Sequence, residues 1–491
     1  MSNVTRVTKN TLWLTLAEIA GKGVGFVIAL IVARYLGPEN YGYYAFAISF
    51  VTLFQVVVDF GLRPLLVREL ARDLSLAGKY VGNFVALKLL LSVVMFGAVS
   101  FGLWLYGAPV NLFYLTIIAT IYVILMSFED MLRGVFQAHE KMKFETIVRV
   151  VTKFAVLAFT LIVVWLGFWT EAIMWALVAG TFIGTVATFF LCQKYFVKIK
   201  FQFDKKFLKT ALRQSVLFAI TNIFIAIYFK IDTVMLENMK GAEVVGYYNT
   251  AYELVFAFMF IPSVISGAIY PVISRFFQED KNKISALVGR LIKYYTIVAV
   301  ALVVFLALLG APLIRLFFGA EYEPAIPLFQ ILTFVLIFVF VNFLVGTLLN
   351  ASNKQHVSTV VAGICAGLNI ILNLFLIPAY GAAGAAVATI ITEAVLGLIS
   401  YVYLHYRLYP LFLVNNINKL VRLSLAIIVT GALAYYLGRW NIYIATPVSL
   451  LAFAAMIFAF RLFTSKDRDY VREIINLRKN KIRTEIETDD Y

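Results

Sequence analysis

The sequence predicts an all-α integral membrane protein of about 14 transmembrane helices, with two pseudo-symmetric six-helix lobes repeated in parallel and two more helices at the C-terminal end. Three observations predict it: an apolar composition, a succession of bilayer-length runs, and a turn that is written twice.

Of 491 residues, 62% are hydrophobic and 14% charged, and the mean hydropathy is +0.89. Soluble domains are about half apolar and about a quarter charged, so this balance belongs to a chain dissolved in lipid. A helix rises about 1.5 Å per residue, and about 20 apolar residues cross a hydrocarbon core of about 30 Å. Runs of that kind cover 10–36, 40–62, 79–106, 110–132, 144–168, 171–196 and 213–236, then 243–274, 286–310, 325–350, 356–378, 382–406, 416–438 and 442–463. The eighth is overlong and contains Pro262, which predicts a bend or a projection from the membrane. The opening "MSNVTRVTKNTLWL" leads straight into the first run, which is too long for a cleavable signal peptide. Cys192 and Cys365 both fall within predicted helices, so no disulfide framework is expected.

The net charge of +15 reads as topology. With the N-terminus on the cytoplasmic side, 34 of the 42 Lys and Arg residues fall there, and only Lys240, Arg315 and Arg439 fall in external segments. Cytoplasmic loops carry such an excess, which places both termini inside and leaves no basic patch that needs nucleic acid to explain it.

The repeated turn is "GPENYGYY" at 37–44 and "GAEVVGYY" at 241–248, each on the external side between two runs. Pro38 and Glu39 suit the first turn of a helix, where a missing amide and a negative charge are tolerated or favoured. Further matches follow in order: "PLLVR" at 64–68 with "PVISR" at 271–275, and Val81-Gly82 with Val288-Gly289. The unit is therefore duplicated. Six spans per unit is an even number, so both copies share one orientation, as in the parallel repeats of secondary transporters. The expected divisions are an N-terminal lobe at 1–197, a basic linker at 198–212, and a C-terminal lobe at 213–407. The last two spans occupy 408–463, and a charged cytoplasmic tail 464–491. The linker, "KIKFQFDKKFLKTAL", reads either as a solvated connector or as a surface segment drawn to anionic lipid.

Ionised groups at membrane depth cost about 2.5–3.5 kcal/mol each on insertion scales, so they face protein or water and are candidates for function. The cations are Lys22, Arg34, Lys88, Lys153 and Lys230; the acids are Glu18, Asp59, Asp232, Glu253 and Glu393. Glu18 and Lys22, four apart on one helix, are spaced to neutralise each other. Arg34, Lys88 and Lys153 are near enough to span ends to snorkel. Lys230 and Asp232, two apart, point away from each other and need other partners. Asn222, Asn342, Asn369 and Asn373 offer polar contacts, either to a ligand or between helices. Gly21 and Gly25, like Gly381 and Ala385, have the small-x-x-x-small spacing of close helix approach.

Several stretches carry a resemblance. "LRGVFQAHEKMKF" (132–144), "FFGAEYEPAIPLFQIL" (317–332), the run from Gly346 to Glu393, and the first turn resemble the oligosaccharide and polysaccharide flippases of the Wzx type. Their superfamily also holds the multidrug/toxin extruders and the lipid II flippases, and the resemblance covers nearly the whole chain. It implies a flippase in the cell membrane, moving a polyprenyl-diphosphate-linked oligosaccharide from the cytoplasmic to the external leaflet alongside glycan-assembly enzymes. The five cations would then line a central cavity and hold the diphosphate, with the acids as counter-charges or ion-coupling groups. Coupling to protons, sodium or the membrane potential stays open, and no cofactor is implied.

Two other classes compete. A membrane enzyme acting on the same lipid would want acids, bases or metal ligands in a sizeable aqueous loop. The external loops are short, His139, His356 and His405 are far apart, and no His-Glu-x-x-His, Walker-type or Cys-x-x-Cys motif occurs. An ion-coupled drug/cation antiporter of the same superfamily remains the alternative; it would use acids such as Glu253 or Glu393.

Overall fold

A computed structural model describes residues 3–279, 281–407, 422, 425–426, 429–433, 436–437 and 442–460. Within them the chain is helix and connecting turn throughout, with no strand. The N-terminal half runs through α1 (Asn3–Asp59), α2 (Leu62–Arg72), α3 (Ala77–Tyr106), α4 (Val110–Ala138), α5 (Met142–Leu166) and α6 (Thr170–Tyr195). After it come α7 (Lys205–Lys240), α8 (Ala242–Phe256), α9 (Phe260–Glu279), α10 (Lys281–Phe317) and α11 (Ala325–Thr333). The series ends with α12 (Val335–Ala351), α13 (Gln355–Tyr380), α14 (Ala382–Arg407) and α15 (Ile442–Ala459).

Eleven stretches among the described residues are long and apolar enough to cross a membrane. The first, Leu16–Arg72, takes in most of the first predicted run and all of the second. Its break is a single residue: Gly37 adopts φ 71 and ψ 173, and Pro38 opens the next helical turn. That backbone region is open essentially to glycine alone, so one residue does the work of a loop. Gly241, between α7 and α8, adopts φ 86 and ψ 170. The two copies of the turn thus share a conformation as well as a spelling.

The eighth run does break. α8 ends at Phe256, a 3₁₀ turn covers Ala257–Met259, and Pro262 lies in the first turn of α9, where its missing amide leaves no helical bond unmade. In the N-terminal half the corresponding interruption is Phe60 and Gly61, with φ of 37 and 68. Beyond it α2 is amphipathic: Leu62, Leu65, Leu66 and Leu70 are buried at helical spacing, while Arg68 and Arg72 stay outside. The seventh helix begins at Lys205, so residues 205–212 of the expected linker are its first two turns; Asp204 caps it by accepting from the Lys206 and Phe207 amides. Most of the thirteenth run, 416–438, and the tail 464–491 lie outside the described residues.

Candidate functional site

Helices α1, α4, α5, α6, α7 and α8 surround a cavity of about 800 Å³. Glycine makes part of it. Gly21, Gly23 and Gly25 line the cavity from α1, and a Cβ at Gly23 or Gly25 would meet nothing within 4 Å. The small-x-x-x-small spacing of Gly21 and Gly25 therefore opens space here; it does not bring helices together. The same correction applies at Gly381, which ends α13 at φ +59 with open space around it. The close approach falls instead at Gly384, whose Cβ would sit 2.1 Å from the Leu376 carbonyl.

Among the described residues, eight charged side chains line the cavity: Lys22, Arg133, Arg149, Lys153 and Lys230, against Glu18, Glu129 and Glu253. Most are bound into a network. Lys22 pairs with Glu18 at 3.0 Å, Glu18 with Arg149 at 3.0 Å, and Arg149 with Glu145 at 3.2 Å. Arg133 bonds Asp130 at 2.6 Å and approaches Glu129 at 3.7 Å, and Arg63 from α2 joins Asp130 to Glu145. Thr152 donates to Glu129 over 3.1 Å. It is held there by Gly184 of α6, where a Cβ would sit 2.0 Å from the Thr152 hydroxyl. Lys153 from α5 and Lys230 from α7 also face the cavity, and among the described residues neither has an ion pair or hydrogen bond. Tyr41, Tyr44, Tyr122 and Asn249 supply a neutral, largely aromatic part of the wall.

Of the ten candidates read from the sequence, the structure gathers Glu18, Lys22, Lys153, Lys230 and Glu253 around this cavity. The other five lie elsewhere. Arg34 donates to the Leu316 carbonyl at 2.9 Å, at the Gly37 end of the bundle. Lys88 does not snorkel: it is 1% exposed, pairs with Asp59 at 3.0 Å, and bonds the carbonyl and hydroxyl of Ser127, which in turn bonds Asp59. Asp232 is buried and accepts from Asn373 at 2.6 Å, Thr389 at 2.9 Å and Tyr248 at 3.0 Å. Glu393 is buried and accepts from Asn342 at 2.6 Å. Asn342 and Asn373 thus make interhelical bonds, and Asn369 bonds Asn373. Glu129, Arg133 and Arg149 were missed as wall residues, because Arg133 and Arg149 read as cytoplasmic loop charges. The i, i+4 pairs Glu129–Arg133 and Glu145–Arg149 inside apolar helices were the available signal.

The cavity is closed at the Gly37 end by a crossing of the two repeated turns. A Cβ on Gly42 would lie 1.7 Å from the Ala242 carbonyl oxygen, and one on Gly246 would lie 2.0 Å from that of Pro38. Each copy's second glycine therefore receives the other copy's helix start. Tyr322, in the connection after α10, is fully buried between Tyr41 and Tyr247, and its hydroxyl donates to the Ala33 carbonyl at 2.7 Å. Burial pushes that hydroxyl far above the usual phenol range, which keeps it protonated as a donor.

An all-helical membrane protein built around a charged internal cavity, sealed at one end, has the architecture of a transporter. The chain belongs to the polysaccharide biosynthesis protein family, whose profile matches residues 7–277; the MatE family matches residues 218–375. It is 22% identical over 407 residues to the capsular polysaccharide biosynthesis protein CapF of Staphylococcus aureus, covering 82% of this chain and 100% of CapF. The lipid II flippase MurJ, in an inward closed conformation, superposes with a TM-score of 0.74 at 17% identity, over 94% of this chain and 100% of MurJ. An inward-facing multidrug resistance MATE transporter of the MOP superfamily gives 0.65 at 15% identity, over 80% of this chain and 97% of the other. The fold is that of this superfamily. Among the described residues, no three His, Cys, Asp or Glu side chains come together as metal ligands.

Proposed function

We propose that the chain is a flippase that carries a polyprenyl-diphosphate-linked oligosaccharide from the cytoplasmic to the external leaflet of the cell membrane. One observation carries the reading: Lys153 of α5 and Lys230 of α7 face one cavity, and among the described residues neither has an ion-pair or hydrogen-bond partner. A diphosphate crosses hydrocarbon only with its charge compensated, and these two lysines offer it two positive charges outside the ion-pair network. Glu18, Lys22 and Arg149 are already paired and shape the wall; the aromatic patch at Tyr41, Tyr44 and Tyr122 offers stacking faces for sugar rings. The family's description and the fold shared with MurJ support this class of cargo.

Fourteen spans in two six-helix lobes, with the termini cytoplasmic, complete the proposal. The Gly37 end is then external, and the structure corresponds to a state closed to the outside. The lobes rock about the cavity to give alternating access. Arg34 belongs to that external closure and Lys88 to the frame. Asp232 and Glu393, buried in the second lobe beside their amide and hydroxyl partners, are the groups through which an ion would couple, and Glu253 is a counter-charge in the cavity. Glycan-assembly enzymes supply and consume the cargo; the protein itself moves it without chemistry.

The test is transfer of a fluorescent polyprenyl-diphosphate oligosaccharide across liposomes by the purified full chain. Replacing Lys153 and Lys230 together by Gln lowers the transfer rate at least about tenfold, since each charged hydrogen bond contributes about 1.5–3 kcal/mol. A folded parent that transfers none of several such lipids, and instead exchanges a cationic amphiphile for protons or sodium in a manner abolished by Glu253→Gln, makes it the drug/cation antiporter.

A further inference from the structure

Between α6 and α7 the chain forms no helix, yet it is tied down at many points. The Val197 amide donates to the Cys192 carbonyl at 2.9 Å and the Ile199 amide to the Gln193 side chain at 2.7 Å. The Lys200 carbonyl lies against Gly82 of α3, where a Cβ would sit 2.1 Å from it. Asn83, fully buried, donates to the Gln202 side chain at 3.3 Å and accepts from the Asp204 amide at 2.7 Å. Phe207 then packs on Tyr80 at 4.8 Å, under the Lys79 ammonium at 5.0 Å. A buried asparagine and a close-packed glycine therefore hold this strap in one place.

What the strap displays is at odds with a merely solvated connector. Phe201 is 68% exposed and Phe203 47% exposed. Around them Lys194, Lys198, Lys200, Lys205, Lys206 and Lys209 are all exposed. The single acid in this stretch, Asp204, spends its carboxylate on the α7 cap. Both flanking helices are of membrane-spanning length and hydropathy, so the strap lies at the level where the bilayer meets water. Aromatic rings are stable at that level, and lysines there attract anionic headgroups.

We infer that the 196–209 strap is a binding site for anionic phospholipid, with Phe201 and Phe203 inserted among the headgroups and the lysines paired with their phosphates. The lipid braces the joint between α3 and α7, the helix that carries Lys230 into the cavity. This rests on the membrane reading alone and does not depend on what the cavity transports.

Native mass spectrometry of the full chain, released from detergent with phosphatidylglycerol or phosphatidylcholine, supplies the first readout. The parent retains phosphatidylglycerol at least about fivefold over phosphatidylcholine, and a Lys198→Gln, Lys200→Gln, Lys205→Gln, Lys206→Gln variant brings the ratio close to one. These lysines are exposed, so the variant folds; Phe201→Ser with Phe203→Ser lowers retention of both lipids. The second readout is a nitroxide on Phe203→Cys, the native Cys192 and Cys365 being buried. In phosphatidylglycerol vesicles the label collides more with oxygen than with an aqueous nickel chelate. Both results are required. An unchanged lipid ratio in the lysine variant overturns the inference, and so does a label that meets the chelate freely, which would assign the strap to solvent or to a protein partner.

Discussion

Lys88 and Lys153 read alike in the sequence, each a cation in the cytoplasmic half of a span, and their neighbours give them opposite roles. Lys88 is sealed against Asp59 and Ser127, whereas Lys153 is left to the cavity. The sealed pair makes a sharp prediction, because removing one partner of a buried ion pair leaves an uncompensated charge. Asp59→Leu lowers unfolding stability by about 3–5 kcal/mol, while Lys88→Met, which leaves Asp59 at a quarter-exposed position, costs less. The Asp59→Leu, Lys88→Met double variant recovers most of the loss. Denaturant unfolding in micelles measures all three, and a double variant as unstable as the sum of the singles contradicts the pairing.

At the scale of the helix, glycine has two opposite uses in α1. Gly42 lets α8 come within contact of the backbone, whereas Gly25 leaves a void that the cavity occupies. Gly42→Ala drives a methyl into the Ala242 carbonyl and destabilises by about 1–3 kcal/mol, as overpacking does. Gly246→Ala does the same at Pro38, and Gly25→Ala stays within about 0.5 kcal/mol of the parent. Thermal unfolding of the three variants decides it. An equal cost at Gly25 would mean that α1 packs there after all. The glycine pattern alone gave no way to rank these positions, since spacing records periodicity and not which face meets a neighbour.

For the whole molecule, the decisive contact is remote in sequence. Tyr322 bonds the backbone of α1 across 289 positions and fills the gap between the two repeated turns. It helps hold the Gly37 end shut, so weakening it shifts the balance toward a state open at that end. Tyr322→Phe removes about 0.5–1.5 kcal/mol of closure and raises the open-to-closed ratio by about twofold to thirteenfold. Spin-label distances between positions 40 and 320 read this directly; an unchanged distribution removes Tyr322 from the closure.

The sequence by itself determined that the chain is helical and lies in a membrane, roughly where its apolar spans fall, and that one turn occurs twice. These follow from local physics: apolar length, period and the backbone freedom of Gly37 and Gly241. The helix ends differ, since the first two runs join around Gly37 and α7 starts at Lys205 and not at 213. It also pointed to the charges that a bilayer penalises. The tertiary structure alone decided which of them share a space. Lys22, Lys153, Lys230 and Glu253 come from α1, α5, α7 and α8, and no spacing along one helix says which way another turns. Arg133 and Arg149 looked like loop charges because a span's end is set by composition, while the depth of a cavity is set by how helices splay. Whether a charge is neutralised depends on side chains scores or hundreds of residues away. Asp232 with Asn373 and Thr389, and Lys88 with Asp59, are pairings that only packing could make.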